Sequence, residues 1–143
     1  MNDEFEDKIE NITKKFDTTH SVLIKDVSSE GTFWLLYVTG STEPGSYYIY
    51  NNETDTMRFI YTENHNLVPE DLGPIKVIKY VARDGQRLKG YLTVPAKSDT
   101  QKLPLVVLPH GGPHSRDYST FDTHSQFLAS LGYLVFQPNF RGS

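Results

Sequence analysis

The sequence predicts a mixed fold: an antiparallel β meander of the kind that forms one blade of a β-propeller, then a unit of α/β type. Three observations carry this. Four short runs rich in β-branched and aromatic residues, SVLIKDV, TFWLLYVTG, SYYIYNN and MRFIYTE, are separated by SSEG, STEPG and NETDT, the pattern of strands joined by tight turns. Further on, LPLVVL and YLVFQP are apolar runs that read as strands buried on both faces. Between them FDTHSQFLASL has helical character and is followed by Gly132, giving the strand, helix, strand rhythm of an α/β fold.

The remaining elements fit around these. Phe5, Ile9, Ile12 and Phe16 recur at spacings of four, three and four, which predicts an amphipathic helix over residues 3–16, with acids early and lysines late. Such a helix packs on a larger body. Residues 63–74, ENHNLVPEDLGP, read as a connector. IKVIKYVA and QRLKGYLTVP then flank Arg83-Asp84-Gly85, a hairpin signal because Asp and Gly tolerate positive φ. The helix at residues 121–131 carries Phe121, Phe127, Leu128 and Leu131.

Composition narrows the function classes. A formal net charge of −4 gives no excess of Lys or Arg to displace counterions, so neither nucleic acid nor an anionic membrane is an expected partner. Lys76, Lys79, Arg83, Arg87 and Lys89 read as solvated strand faces. The absence of cysteine excludes disulfides, thiolate metal sites and cysteine nucleophiles. No apolar run approaches the roughly 20 residues of a membrane span, and the charged N-terminal stretch lacks the apolar region of a signal peptide, so a cytoplasmic protein is the expectation.

The chemistry concentrates at His110-Gly111-Gly112-Pro113, just beyond LPLVVL. Two glycines at the end of a buried strand let the backbone turn sharply and leave N–H groups unobstructed. An oxyanion site needs such donors, about 2.7–3.1 Å from the oxygen on which charge develops. In α/β-hydrolases one of these donors comes from a loop ahead of the nucleophile. A plain tight turn between strand and helix explains the same two glycines. His110 reads as a residue that fixes the loop rather than as a catalytic base. His110 and His114 are four apart, but the intervening Gly-Gly-Pro prevents a helix, so no metal site is expected.

PLVVLPHGGPHSRD, FDTHSQFLASLGY and QPNFRGS together resemble the start of the catalytic domain of the prolyl oligopeptidase family of serine peptidases, in particular its acylaminoacyl-peptidase and dipeptidyl-peptidase-like members. EPGSYYIYNNET is similar to their last propeller blade, and YVARDGQRLKGYLTVP to the hairpin that opens their hydrolase domain. The resemblance implies a helix and partial last blade over residues 1–70, then the N-terminal part of an α/β-hydrolase domain over residues 71–143. It implies that the N–H of Gly112, with Gly111 the next candidate, helps to hold the oxyanion. His110 and Pro113 would shape that loop, while Asn139 would hold a turn and Arg141 would pair structurally with a carboxylate.

The pattern departs from the family in one respect. No Gly-x-Ser-x-Gly nucleophile elbow occurs in the sequence, and Ser143 ends a loop motif with no evident base. An oxyanion donor without a nucleophile cannot complete acyl transfer. The expectation is therefore an inactive fragment of a serine peptidase that hydrolyses short peptides and needs no cofactor. The alternatives are a fragment of an esterase on the same fold, and a non-catalytic binding or assembly module that self-associates through exposed sheet edges.

Overall fold

The structure, a computed structural model, describes residues 3–98, 102–112 and 114–143. Its elements run α1 (Asp3–Thr13), β1 (His20–Val27), β2 (Phe33–Gly40), β3 (Ser46–Asn51), β4 (Thr56–Thr62), β5 (Ile75–Val81), β6 (Arg87–Thr93), β7 (Leu105–Val107), α2 (Thr123–Ser130) and β8 (Leu134–Asn139). Pro69–Asp71 adds a single 3-10 turn within the connector. The strands form two four-stranded sheets, ordered β1-β2-β3-β4 and β5-β6-β8-β7, in which only the β7/β8 pair is parallel.

The first sheet is the predicted meander. Its alternation sends Val22, Ile24, Trp34, Leu36, Tyr48, Tyr50 and Met57 to one face, and α1 lies across that face. Ile12 is 1% exposed and Leu36 fully buried, while Phe5 meets the Trp34 ring and Phe16 the Tyr48 ring, each with centroids 5.3 Å apart. α1 ends three residues before the predicted stop. Lys15 N–H bonds Ile12 O and Phe16 N–H bonds Thr13 O, tightening the last turn, and the Asp17 carboxylate then takes the Thr19 N–H at 2.8 Å. Phe16 reaches the sheet from that turn rather than from the helix.

The second sheet begins with the predicted hairpin, but only Gly85 of its turn uses positive φ (85°). Gly85 N–H bonds Ala82 O and Ala82 N–H bonds Gln86 O, so the loop is a three-residue connection closed by glycine, and Asp84 keeps an ordinary conformation. β8 lies in the middle of the sheet, its residues alternately buried and half-buried. β7 does not match the expectation of a strand buried on both faces. It is three residues long and forms an edge among the described residues, leaving Leu105 55% and Val107 56% exposed.

α2 starts at Asp122, whose carboxylate accepts the Ser125 N–H at 2.8 Å. It ends with Gly132 N–H on Ala129 O and Tyr133 N–H on Leu128 O, a Schellman motif. Its buried face is Ser125, Gln126 and Ala129, whereas Phe127 and Leu131 point outward at 62% and 59% exposure. The apolar stripe read from the sequence is thus not the packing face. Gln126 occupies that face because it links the two sheets: its Nε2 donates to Ser41 O and Gly73 O, each 2.9 Å, and its Oε1 accepts the Gly73 N–H at 2.7 Å.

Candidate active site

Because β7 and β8 are parallel, their carboxyl ends point the same way, and the loops that follow them emerge side by side. One carries His110, Gly111 and Gly112; the other is Phe140 to Ser143. In open α/β sheets, ligands bind beyond the carboxyl ends of the strands.

Three contacts hold the loops together. The buried Asn139 side chain grips the backbone of Asp117, its Oδ1 accepting the Asp117 N–H at 2.8 Å and its Nδ2 donating to Asp117 O at 3.0 Å. His110 stacks on Phe140, with centroids 4.3 Å apart and planes inclined by 18°. The His110 Nε2 lies 2.7 Å from Ser143 Oγ, and its Nδ1 lies 3.1 Å from Gly111 O. Ser143, read from the sequence as having no base, therefore has an imidazole in hydrogen-bond reach. Arg141 bonds the Asp84 carboxylate at the tip of the β5–β6 hairpin.

The two glycines are exposed, and a Cβ built on either would meet nothing within 4 Å. Gly112 has φ +63°, a conformation that L side chains adopt with strain, and its carbonyl accepts the Ser115 N–H at 3.0 Å. Among the described residues neither the Gly111 nor the Gly112 N–H donates a hydrogen bond. Pro113 lies outside the described residues.

Two carboxylates near these loops are perturbed in opposite senses. Burial pushes the Asp117 carboxyl up, opposed in part by the charge of His110. Its Oδ2 is buried without a partner among the described residues. Asp84 is held below the usual carboxylate range by Arg141, with help from the Gln86 N–H. No group of three or more His, Cys, Asp or Glu suited to a metal ion occurs among the described residues, and no described helix is long and apolar enough to cross a membrane.

Sequence reasoning placed His110, Gly111, Gly112, Asn139 and Arg141 here, and the structure brings all five to one end of the second sheet. It missed Asp117, Phe140 and Gln126. The Asp117–Asn139 contact spans 22 residues, and no local pattern announces it.

Known proteins similar to this chain include peptidases. Dipeptidyl aminopeptidase BIII of Pseudoxanthomonas mexicana is 32% identical over 117 residues, which is 77% of this chain and 17% of that protein. Among solved structures, a puromycin-hydrolysing peptidase of Mycobacterium tuberculosis superposes with a TM-score of 0.64 at 23% identity, covering 76% of this chain and 18% of its own. The acylaminoacyl peptidase of Pyrococcus horikoshii gives a TM-score of 0.63 at 21% identity, covering 89% and 20%. At those identities the two structures speak to fold alone. Together these neighbours are peptidases of the prolyl oligopeptidase family, the family that the sequence motifs resemble. The chain spans about a fifth or less of the length of each of these three relatives. No family model matches the chain.

Proposed function

We propose that the chain is part of a longer serine peptidase that hydrolyses short peptides. In this reading residues 1–70 supply the N-terminal helix and last propeller blade, and residues 71–143 supply the start of an α/β-hydrolase domain. The carrying observation is the exposed pair Gly111 and Gly112, whose N–H groups donate no hydrogen bond among the described residues, on a loop braced against the one that follows β8. The names of the relatives, a dipeptidyl aminopeptidase and an acylaminoacyl peptidase, support short peptides as the substrate class.

The chemistry follows from the donors. When a serine hydroxyl attacks a peptide carbonyl and its proton passes to a histidine, negative charge develops on the carbonyl oxygen. The Gly112 N–H, with Gly111 next to it, stabilises that charge without reorganising. His110 and Pro113 shape the loop, and Asn139 and Arg141 hold the turn beside it. Nucleophile, acid and base lie in other parts of the parent protein, since Gly-x-Ser-x-Gly does not occur in this sequence. The 143-residue chain alone is inactive, the reaction needs no cofactor, and the protein is cytoplasmic.

The test is turnover by the parent protein on aminoacyl amides and on simple esters. The proposal expects amide cleavage, with kcat falling roughly 100-fold in Gly112→Ala, because strain at positive φ displaces the donor. Cleavage of esters alone would replace the peptidase with an esterase.

One observation favours a second reading. Ser143 Oγ lies 2.7 Å from His110 Nε2, while Nδ1 faces a carbonyl, the orientation in which imidazole accepts a serine proton. In this reading Ser143 is itself the nucleophile. Ser143→Ala separates the two: retained turnover supports the first reading, and complete loss the second.

A further inference from the structure

The end of the second sheet where β5 and β8 finish gathers positive charge in a chain that is acidic overall. Lys79, Arg87, Lys89, Arg116 and Arg141 line one open groove of about 910 Å³, against a net charge of −4 for the whole chain. Three of these share one face of the hairpin. Lys79 stands directly opposite Lys89 in register, and Arg87 follows two residues away on the same face of β6. Like charges directly opposite on paired strands repel. Among the described residues Arg141 alone of the five has a carboxylate partner, and no ion pair reaches the other four. An anion in the groove would relieve that repulsion.

The position of the groove suggests which anion. Ser143 and Arg116 also line it, and Ser143 meets His110 of the glycine loop, so the groove opens beside the candidate oxyanion donors. We propose that it binds the carboxylates of an acidic peptide segment, and so favours substrates carrying Asp or Glu. The role in substrate choice rests on the peptidase reading; the binding does not. An extended nucleic acid fits less well, because it would run beyond the groove onto a surface that is negative overall.

Fluorescence anisotropy tests this with the full chain, a labelled Glu-rich peptide, its Gln counterpart and a single-stranded oligonucleotide of matched charge. The expected result is binding of the Glu peptide alone, weakened about two- to fivefold by each of Lys89→Gln, Arg87→Gln and Arg116→Gln, and weakened further by salt. Arg116 lies on a loop and the lysine change removes a repulsion, so neither variant threatens the fold. Equal binding of the Glu and Gln peptides, variants without effect, or tighter binding of the oligonucleotide would each overturn the proposal. Because anisotropy reads binding without turnover, its failure leaves the peptidase reading standing, and a parent without peptidase activity leaves the groove measurement intact.

Discussion

The two sheets are the same size but have different interiors. The first buries Trp34, Leu36 and Tyr50 under α1, which presents Ile12 from the other side. The second buries the polar Thr93, Ser125, Gln126, Gln137 and Asn139 beside Tyr91, Val94, Ala129 and Val135, and Thr93 Oγ1, Ser125 Oγ and Gln137 Oε1 have no partner among the described residues. Its opposite face, with Leu134 and Phe136 beside Leu105 and Val107, is partly open. Apolar burial under α1 holds the first sheet, whereas the hydrogen bonds of Gln126 and Asn139 fix the segments around the second.

The largest effect is expected in the apolar interior: Leu36→Ala, at a fully buried site, loses about 2–5 kcal/mol in urea unfolding. A loss well under this range would show that the first sheet relaxes around the cavity and is less tightly packed than described. Next comes Gln126→Ala, which strips partners from the Gly73 N–H, Gly73 O and Ser41 O and loses about 1–3 kcal/mol. A nearly neutral result would mean that the link between the sheets is dispensable.

Smaller effects are expected at the loops. Asn139→Ala removes two bonds to the Asp117 backbone, so exchange of the Asp117 amide should rise while global stability falls by about 1 kcal/mol. Arg141→Ala should change stability least, because its bond to Asp84 is exposed and screened by solvent. The pH dependence of this bond has a definite sign. The Asp84 carboxyl lies below its ordinary value of 3.8 in the folded state. The tether is therefore fully present above that value and is lost as pH falls through the lower, folded one. Acid titrations of wild type and Arg141→Ala should agree at low pH and separate above it.

Much of the first sheet was legible in the sequence, because Trp34, Leu36 and Val38 alternate with Leu35 and Tyr37 and the α1 stripe repeats with helical period. Periodicity reports burial where burial is apolar. It failed on α2, whose packing face is Ser125, Gln126 and Ala129, chosen by a bond to Gly73 across 53 residues. Nor does it separate an edge strand from a central one, and β7 is an edge among the described residues. The glycine loop was legible as a motif. Its bracing by Asp117, Phe140 and Ser143 was not, because those contacts exist only once β7 and β8 lie parallel.

The most direct test of the central claim, that this chain is the oxyanion-bearing part of a longer serine peptidase, is fluorophosphonate labelling of the protein from its native source, read by intact mass. One label is expected on a species several times heavier than 16.3 kDa, and none on the 143-residue chain alone. A native species near 16.3 kDa that takes no label would contradict it.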